Sequence, residues 1–383
     1  MVVLNLRADG SMSPKYTVVT LFVPLCTGDY TTEVSVDENR TLAKMTSFWE
    51  YKDGYLKFTK NPIMMFEDWF EDHVGLRREC IQIASSIQYK VFHELPKNDW
   101  LLGKENHWFY EDEERVALRE YQNTELPTEE GLNALGDVFS TLEQQLQERD
   151  CEFVLMIAPM KDNVYPEYMP SSVHKIGKIS RAEAQIRYLE ENSNVDCIYM
   201  SEILLKHKDD IYPSFNQKYD ASHWNFYGAY LGYKELMEHI KINDPEIYIL
   251  EEKDVTFNER QIEESFYGSF TYTDKILEMN YNASDTITCT TNKPEMLDED
   301  GSLFWHYTNT NPNVDEKRIL ICGDSMIYSF LLPLIAESYE ELYFIHNSTQ
   351  CLDKWIEYVE PECVVKECAE RTGISYNESY NLR

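Results

Sequence analysis

The feature that most constrains the fold is a series of short apolar runs separated by stretches with helical periodicity. The clearest runs are residues 153–158 (FVLMIA) and 318–322 (RILIC), and others occupy residues 195–200, 342–345 and 363–365. A continuous apolar run of this length is expected of a strand that is buried on both faces of a parallel sheet. Such strands, alternating with helices, predict an α/β fold with helices on both faces of the sheet.

Two segments do not follow this alternation. Residues 62–92 have an amphipathic helical pattern with a break at Gly75. Residues 244–313 are polar, rich in Thr, Asn, Tyr and acids, and predict an insertion with short β elements. We therefore predict a helical N-terminal extension at 39–120 and a catalytic domain at 121–383 that the insertion interrupts.

The first 38 residues contain one apolar segment, residues 17–26 (TVVTLFVPLC). Its length suits the hydrophobic core of a signal peptide, and a buried or edge strand is the equal alternative. No apolar run in the sequence approaches the roughly 18 residues of a membrane-spanning helix. We interpret residues 1–38 as a signal or anchor remnant and a tail. This interpretation predicts an extracytoplasmic protein, periplasmic or at the cell surface, with the N-terminus as a potential membrane anchor.

The charge balance limits the classes of partner. The chain has 35 Lys+Arg against 68 Asp+Glu, a formal net charge of -33. Nucleic-acid binding needs a basic surface, so we expect no nucleic-acid partner. The nine cysteines include no Cys-x-x-Cys pair, and no phosphate-binding loop or dinucleotide fingerprint occurs. We therefore expect neither a metal nor a cofactor.

Two short motifs can carry chemistry. The first is Gly-Asp-Ser at 323–325, between an apolar run and a predicted helix, where a serine is held at the carboxyl edge of the sheet. The second runs from Asp220 to His223 as Asp-x-x-His. A serine hydroxyl needs a base to accept its proton, and the base needs an orienting carboxylate, which this second motif can supply. The structural alternatives are that Ser325 only caps a helix and that Asp-x-x-His is a solvated turn.

Together these are the outer motifs of SGNH-type esterases in reversed order, and chain order varies freely among catalytic triads. From about residue 39 to residue 371 the sequence resembles the alginate O-acetyltransferase family. These are extracytoplasmic SGNH-like enzymes that acetylate exopolysaccharides and whose hydrolase motifs are circularly permuted. The segments that carry the resemblance are 38–43 (ENRTLA), 66–77 (FEDWFEDHVGLR), 103–110 (GKENHWFY), 158–168 (with APMK and YPEY), 223–229 (with HWN and GA) and 323–334 (with GDS and LLPL).

The resemblance implies an SGNH-hydrolase-like parallel sheet, circularly permuted, with a helical N-terminal extension and a mixed insertion. It further implies an O-acetyltransferase with Ser325 as nucleophile, His223 as general base and Asp220 as orienting acid. Two positions depart from the family. Ala221 lies two residues before the histidine, where relatives often have the aspartate, and Met160 stands where they often have asparagine.

Four further residues are candidates for contacts with the substrate or the oxyanion. Trp224 either walls the pocket or packs in the core, and Tyr165 either lines a glycan groove or covers the core. Asn347 either donates to the oxyanion or caps a turn. Lys161, within the segment that resembles the family, is the fourth.

The motifs do not identify the acyl acceptor. A polysaccharide hydroxyl would make the chain an O-acetyltransferase, water would make it an esterase, and a retained fold without catalysis would make it a glycan-binding or scaffold protein. The resemblance implies a membrane-bound O-acyltransferase as the acetyl-donor partner. At a net charge of -33, we expect a neutral polysaccharide acceptor more than a polyanion such as alginate.

Overall fold

The computed structural model describes most of the chain, namely residues 27–35, 40–45, 49–52, 54–58, 62–112, 116–297, 301–314, 316–349, 351–375 and 382. The described residues form two compact units. One contains those up to Pro96 together with Glu263–Thr273, and the other contains Lys97–Ile262 together with those from Asp274 onward. The apolar segment at 17–26, for which we predicted a signal or a strand, lies outside the described residues. The domain limits given above remain predictions.

The first unit combines two small antiparallel strand pairs with two helices. These elements are β1 (Val34–Ser35), β2 (Arg40–Thr41), β3 (Trp49–Lys52), β4 (Tyr55–Phe58), α1 (Pro62–His73) and α2 (Arg77–Ile87), which continues as a π-helical turn, Gln88–Phe92.

A glycine separates the two helices of this unit, where the sequence pattern indicated a break. A Cβ atom on Gly75 would lie 2.1 Å from Oγ1 of Thr27 and 2.8 Å from the nitrogen of Gly28. The segment that contains Thr27 and Gly28 therefore passes too close to residue 75 for any side chain there. Leu76, the next residue, has a positive φ of 63°. Close approach and a left-handed residue together end α1 before α2 begins.

The second unit contains the remaining strands and helices. Its strands are β5 (Trp100–Leu102), β6 (Trp108–Tyr110), β7 (Glu152–Ala158), β8 (Asp196–Tyr199), β11 (Ile287–Thr290), β12 (Phe304–Asn309), β13 (Arg318–Gly323), β14 (Glu341–His346) and β15 (Cys363–Ala369). Its helices are α3 (Val116–Tyr121), α4 (Glu129–Gln147), α5 (Lys161–Val164), α6 (Arg181–Asn192), α7 (Met200–Lys206), α8 (Phe226–Ile240), α9 (Ser325–Tyr328), α10 (Leu332–Ile335) and α11 (Leu352–Val359). A hairpin of β9 (Val255–Phe266) and β10 (Phe270–Tyr281) has residues in both units.

A seven-stranded sheet forms the centre of this unit, in the order β11-β12-β14-β13-β15-β7-β8. The strands from β14 to β8 are parallel to one another, while β12 pairs antiparallel with β14 and β11 antiparallel with β12. The observed order confirms the predicted α/β fold with a largely parallel sheet.

Both faces of the sheet are buried, as the continuous apolar runs predicted. Along β13, Ile319 and Ile321 pack into a hydrophobic cluster with α8, whereas Leu320 and Cys322 pack into a second cluster with α4, α6 and α11. Side chains alternate between the two faces of a strand, so one apolar run supplies both layers of the core.

The segment at 244–313 contributes more β structure than we predicted. Its hairpin strands β9 and β10 have 12 residues each, and β11 and β12 extend the central sheet at its antiparallel edge. The polar composition concealed β9 and β10 because only three of the twelve residues in each strand are buried.

Two helices of the second unit begin at residues whose side chains cap them. The hydroxyl of Thr128 accepts the Gly131 N–H at 3.1 Å at the start of α4, and that of Ser180 accepts the Glu183 N–H at 3.0 Å at the start of α6.

Among the described residues, none of the helices has both the length and the apolar content needed to cross a membrane.

A buried carboxyl group links α3 to the start of α6. One oxygen of Glu120 accepts the Ala182 N–H at 3.0 Å, and the other lies 3.3 Å from Nε of Arg181. Burial outweighs these favourable contacts and raises the pKa of Glu120 from 4.5 to about 7. Glu120 is therefore protonated at mildly acidic pH and loses its proton near neutrality.

We expect the free energy of unfolding to fall as the pH rises from about 4.5 to about 7. The folded state holds the Glu120 proton more tightly than the unfolded state, so raising the pH costs stability, by about 3 kcal/mol for this group alone. Glu120→Gln should remove that part of the slope. Urea unfolding at mildly acidic and at alkaline pH measures it.

Glu125→Gln is the matched control, because the Glu125 carboxylate is half-exposed and pairs with Arg119 at the surface. It should keep the wild-type pH dependence. If the free energy of unfolding depended equally on pH in wild type and in Glu120→Gln, the prediction would be contradicted.

Candidate active site

Ser325 lies at the carboxyl edge of the parallel sheet, directly after β13. It is the first residue of α9, and Asp324 is the N-cap, whose carboxylate accepts the Met326 N–H at 2.8 Å. The strands on either side, β14 and β15, are parallel to β13, so their carboxyl ends reach the same edge. Asp324 therefore takes the capping role that was the structural alternative for Ser325, and the serine hydroxyl is left for other contacts.

A chain of hydrogen bonds joins the two motifs. Nε2 of His223 lies 2.9 Å from Oγ of Ser325, and Nδ1 of His223 lies 2.6 Å from a carboxylate oxygen of Asp220. The Ser222 hydroxyl lies 3.2 Å from the same Nδ1 and donates to Asp220 at 3.4 Å. The side chains of His223 and Asp220 are 20% and 38% exposed, so solvent reaches the site. The arrangement has the order of hydroxyl, imidazole and carboxylate that a catalytic triad requires.

A tight turn explains how an aspartate three residues before the histidine reaches its ring. Asp220 has a left-handed φ of 46°, which aspartate tolerates better than most residues, and its carbonyl accepts the His223 N–H at 3.1 Å. The turn folds the carboxylate back onto Nδ1. Ala221, at the position where relatives often have aspartate, is buried.

Trp224 connects the loop that carries His223 to α9. Its side chain is only 1% exposed, and its indole N–H donates to the carbonyl of Met326 at 2.9 Å. Asn225 then starts α8 by accepting the N–H groups of Tyr227 and Gly228 at 3.0 and 3.1 Å. Of the two roles that the sequence left open, the structure places Trp224 in the packed core beneath the site.

Lys161 is buried, and its ammonium group bonds to main-chain carbonyls and lies 5.1 Å from the centre of the Phe109 ring. Nζ donates to the carbonyls of Trp108, Asn216 and Gln217 at 2.9, 2.7 and 2.8 Å. Burial lowers the pKa of Lys161 to about 7, while three carbonyl acceptors match the three N–H groups of the charged form. The side chain thus anchors the chain that leads into Asp220.

Tyr165 and Asn347 also fix backbone near the site. The Tyr165 hydroxyl lies 3.2 Å from Oγ of Ser214 and accepts the Ser214 N–H at 3.0 Å. The side-chain amide of Asn347 donates to the carbonyl of Glu367 at 2.6 Å, and its backbone N–H donates to the carbonyl of Gly323 at 2.8 Å. The Asn347 amide donor is thus directed at β15 in this structure.

Met160, the second departure from the family, supplies no side-chain donor. Its backbone N–H donates at 3.1 Å to the carboxylate of Glu370, and this carboxylate also accepts from the hydroxyls of Ser201 and Tyr199.

The N–H of Ser325 is at the first helical position, where helices leave donors unsatisfied. In the part of the chain that the structure describes, no acceptor is bonded to this N–H.

Several residues near the site were not identified from the sequence. The ring of Phe330 lies 6.3 Å from that of His223 and packs edge-on against Phe226 at 5.3 Å. The sequence feature that could have indicated its proximity to the site is its position five residues after Ser325.

A small cavity beside the histidine loop is lined by Phe109, Tyr110, Met160, Lys161, Asp162, Ala221, Ser222 and Arg371.

A group of potential metal ligands lies at the opposite edge of the sheet. Ligand atoms of Glu152, Asp196 and His239 lie within 4.8 Å of one another. Glu152 and Asp196 are the first residues of β7 and β8, at the amino ends of these parallel strands. Since Ser325 follows the carboxyl end of β13, this group is separate from the Ser325 site.

Comparisons with known proteins agree with this fold. The chain is similar to a probable alginate O-acetylase, AlgJ of Pseudomonas fluorescens, with 30% identity over 113 residues. That match covers 28% of this chain and 26% of the relative, about a quarter of its length.

Two solved structures share the fold. Bacillus cereus PatB1 with a sulfonyl adduct has a TM-score of 0.50 and 18% identity, covering 74% of this chain and 97% of that one. A DHHW family protein from Eubacterium siraeum has a TM-score of 0.50 and 14% identity, covering 75% and 98%.

The family model described as the SGNH hydrolase-like domain of acetyltransferase AlgX matches residues 101–326. This match covers more than half of the chain and includes Asp220, His223 and Ser325. With the parallel sheet and the position of the serine after β13, it shows that the chain belongs to the family of SGNH hydrolase-like, AlgX-type acetyltransferase domains.

Proposed function

We propose that this protein is a polysaccharide O-acetyltransferase that works through an acetyl-serine at Ser325. The observation that carries the proposal is the continuous hydrogen-bond chain from Oγ of Ser325 through His223 to Asp220. A base held 2.9 Å from a serine hydroxyl can accept its proton as the oxygen attacks a carbonyl carbon. Membership of an acetyltransferase family supports an acetyl ester as the group that is attacked.

The first half-reaction forms the acetyl-enzyme. Oγ of Ser325 attacks the acetyl carbonyl of the donor, and its proton passes to Nε2 of His223 while Nδ1–H donates to Asp220. The tetrahedral intermediate collapses, the bond to the donor breaks, and the leaving group takes the proton from His223. The Ser325 N–H, at the start of α9, is the donor that we assign to the developing oxyanion.

The second half-reaction reverses these roles. A hydroxyl group of the polysaccharide attacks the acetyl-serine and gives its proton to His223. Collapse of the second tetrahedral intermediate breaks the bond to Oγ, and Ser325 recovers the proton. The acetyl group thus moves from one ester to another without a net change in protonation of the enzyme.

The donor and the compartment belong to the same proposal. One relative is named an alginate O-acetylase, which describes that protein. For this chain we propose an extracytoplasmic location, an acceptor polysaccharide and an acetyl donor supplied by a membrane-bound O-acyltransferase. The match to an acetyltransferase family supports this arrangement.

An acetylesterase is the second candidate, and solvent access favours it. His223 and Asp220 are partly exposed, so water can reach an acetyl group on Ser325. Transferase and esterase share the first half-reaction and differ only in the acceptor. Competition between water and a sugar hydroxyl therefore separates them.

Substitution of the triad tests the mechanism. We expect wild type to move acetyl groups from 4-nitrophenyl acetate to oligosaccharides, measured by mass spectrometry of the sugar. Ser325→Ala and His223→Ala should each lower the rate by about a thousandfold or more, and Asp220→Asn by about a hundredfold or more, since the imidazole loses its orienting partner.

Asp209→Asn, which changes an exposed aspartate that precedes Asp220 in the sequence, is the control and should match wild type. Release of nitrophenol that no acceptor alters would favour the esterase. Wild type and triad variants that are equally inactive in both assays would leave a glycan-binding or scaffold protein and remove the catalytic proposal.

The charge of the chain predicts the charge of the acceptor. A net charge of -33 repels a polyuronate at low ionic strength, so we propose a neutral or weakly charged glycan. Neutral oligosaccharides should be acetylated faster than uronate oligosaccharides of equal length, and added salt should raise only the uronate rate. Faster transfer to uronates that salt suppresses would show a locally basic groove and contradict the proposal.

A further inference from the structure

Glu367 is a charged residue type inside a strand that is buried on both faces. It lies in β15, in which all residues from Cys363 to Ala369 are buried, and its own side chain has no solvent exposure. Burying a carboxyl group costs several kcal/mol unless its surroundings compensate. The mechanism described above does not use Glu367, so its position needs a separate physical reason.

That reason lies in its contacts with the nucleophile turn. Oε2 of Glu367 accepts the N–H of Asp324 at 2.8 Å. Two residues further along β15, the N–H of Ala369 donates to the carboxylate of Asp324 at 3.1 Å. Asp324 is therefore held through its backbone and its side chain by the same strand end, while its other carboxylate oxygen caps the helix that Ser325 starts.

Asn347 ties the same strand to the other neighbour of β13. Its amide donates to the Glu367 carbonyl, and its backbone N–H to the Gly323 carbonyl, at 2.6 and 2.8 Å. The turn at 323–325 is thus fixed from β15 on one side and from the end of β14 on the other. Only one of these contacts, from Glu367 to Asp324, uses a buried carboxyl group.

The Glu367 carboxyl packs directly on the turn. A Cβ atom on Gly323 would lie 2.8 Å from Oε2 of Glu367 and 2.7 Å from Cγ2 of Ile327. The glycine of the Gly-Asp-Ser motif therefore makes room for this carboxyl group. Any displacement of Glu367 is transmitted to the backbone that carries Ser325, because packed interiors have little free volume.

The surroundings of the Glu367 carboxyl favour its neutral form over its charged form. Burial, and then the nearby Asp324 carboxylate, raise the pKa of Glu367 well above its usual range. A neutral carboxyl still accepts the Asp324 N–H through its carbonyl oxygen. It does so without adding a second negative charge beside Asp324, and a glutamine side chain has the same shape and the same acceptor.

We propose that Glu367 is a positioning residue for the nucleophile, which holds the 323–325 turn so that Oγ of Ser325 stays within hydrogen-bond distance of His223. The proposal rests on the proposed function in assigning Ser325 as the nucleophile. Glu367 acts through Asp324 and touches neither the substrate nor the reacting atoms.

Glu337 provides a matched control. It is also a buried glutamate whose carboxyl accepts one backbone N–H, that of Ser284, at 2.8 Å, and burial raises its pKa too. It precedes β14, at the opposite edge of the sheet from Ser325. Substitutions there reproduce the cost of losing a buried acceptor without disturbing the turn.

The experiment measures the rate at which phenylmethylsulfonyl fluoride modifies Ser325, by mass spectrometry, in the full chain. Glu367→Leu should slow modification about tenfold or more, since it leaves the Asp324 N–H without its acceptor, and Glu367→Gln should stay within about threefold of wild type. Glu337→Leu should lower the thermal midpoint of unfolding about as much as Glu367→Leu does, but it should leave the rate of modification of Ser325 unchanged. Wild-type rates in Glu367→Leu, or equal slowing in Glu337→Leu, would overturn the proposal.

Hydrogen exchange tests the same contact without relying on reactivity. Peptides covering 318–325 should exchange faster in Glu367→Leu than in wild type, and Glu367→Gln should restore protection. If the reagent does not modify Ser325 in wild type, the proposed nucleophile is wrong. In that case unchanged exchange of these peptides in Glu367→Leu would also overturn the positioning role.

Discussion

Burial of β13, β15 and β7 on both faces is the constraint on which the rest of the structure depends. Each strand contributes alternate side chains to two hydrophobic clusters, so no strand can shift in register without exposing both. Because these strands are parallel, their carboxyl ends meet at one edge. The turn after β13 carries Ser325, while the segment after β7 and the end of β15 carry polar residues that hold nearby backbone.

Those polar residues work mainly on the backbone. Lys161 holds three carbonyls, Tyr165 holds Ser214, and Glu367 holds the N–H of Asp324. A hydrogen bond to a buried polar group is costly to lose, so each of these contacts favours one geometry. The two motifs are separated by about a hundred residues, and this set of contacts, together with Trp224, keeps His223 and Ser325 within hydrogen-bond distance.

The excess of acidic residues acts differently at the surface and in the interior. At the surface it favours uncharged partners over polyanions. In the interior, burial raises the pKa of Glu120 to about 7 and that of Asp162 and Glu367 well above the usual range. Burial thus favours the neutral form of these groups, so the interior carries less negative charge than the composition indicates, and the folded state binds their protons more tightly than the unfolded state.

The sequence by itself determined the α/β class, the buried parallel strands and the two motifs, because apolar runs and strand-to-helix turns are local patterns. It also predicted Ser325, His223 and Asp220, which the structure brings together, although their catalytic roles remain proposals. It did not predict β11 and β12 as sheet strands, nor whether Trp224, Lys161 and Asn347 face a substrate or the core. Only the tertiary structure decided these points, because the direction and burial of a side chain depend on elements far away in the chain, such as Met326 for Trp224 and Glu367 for Asn347.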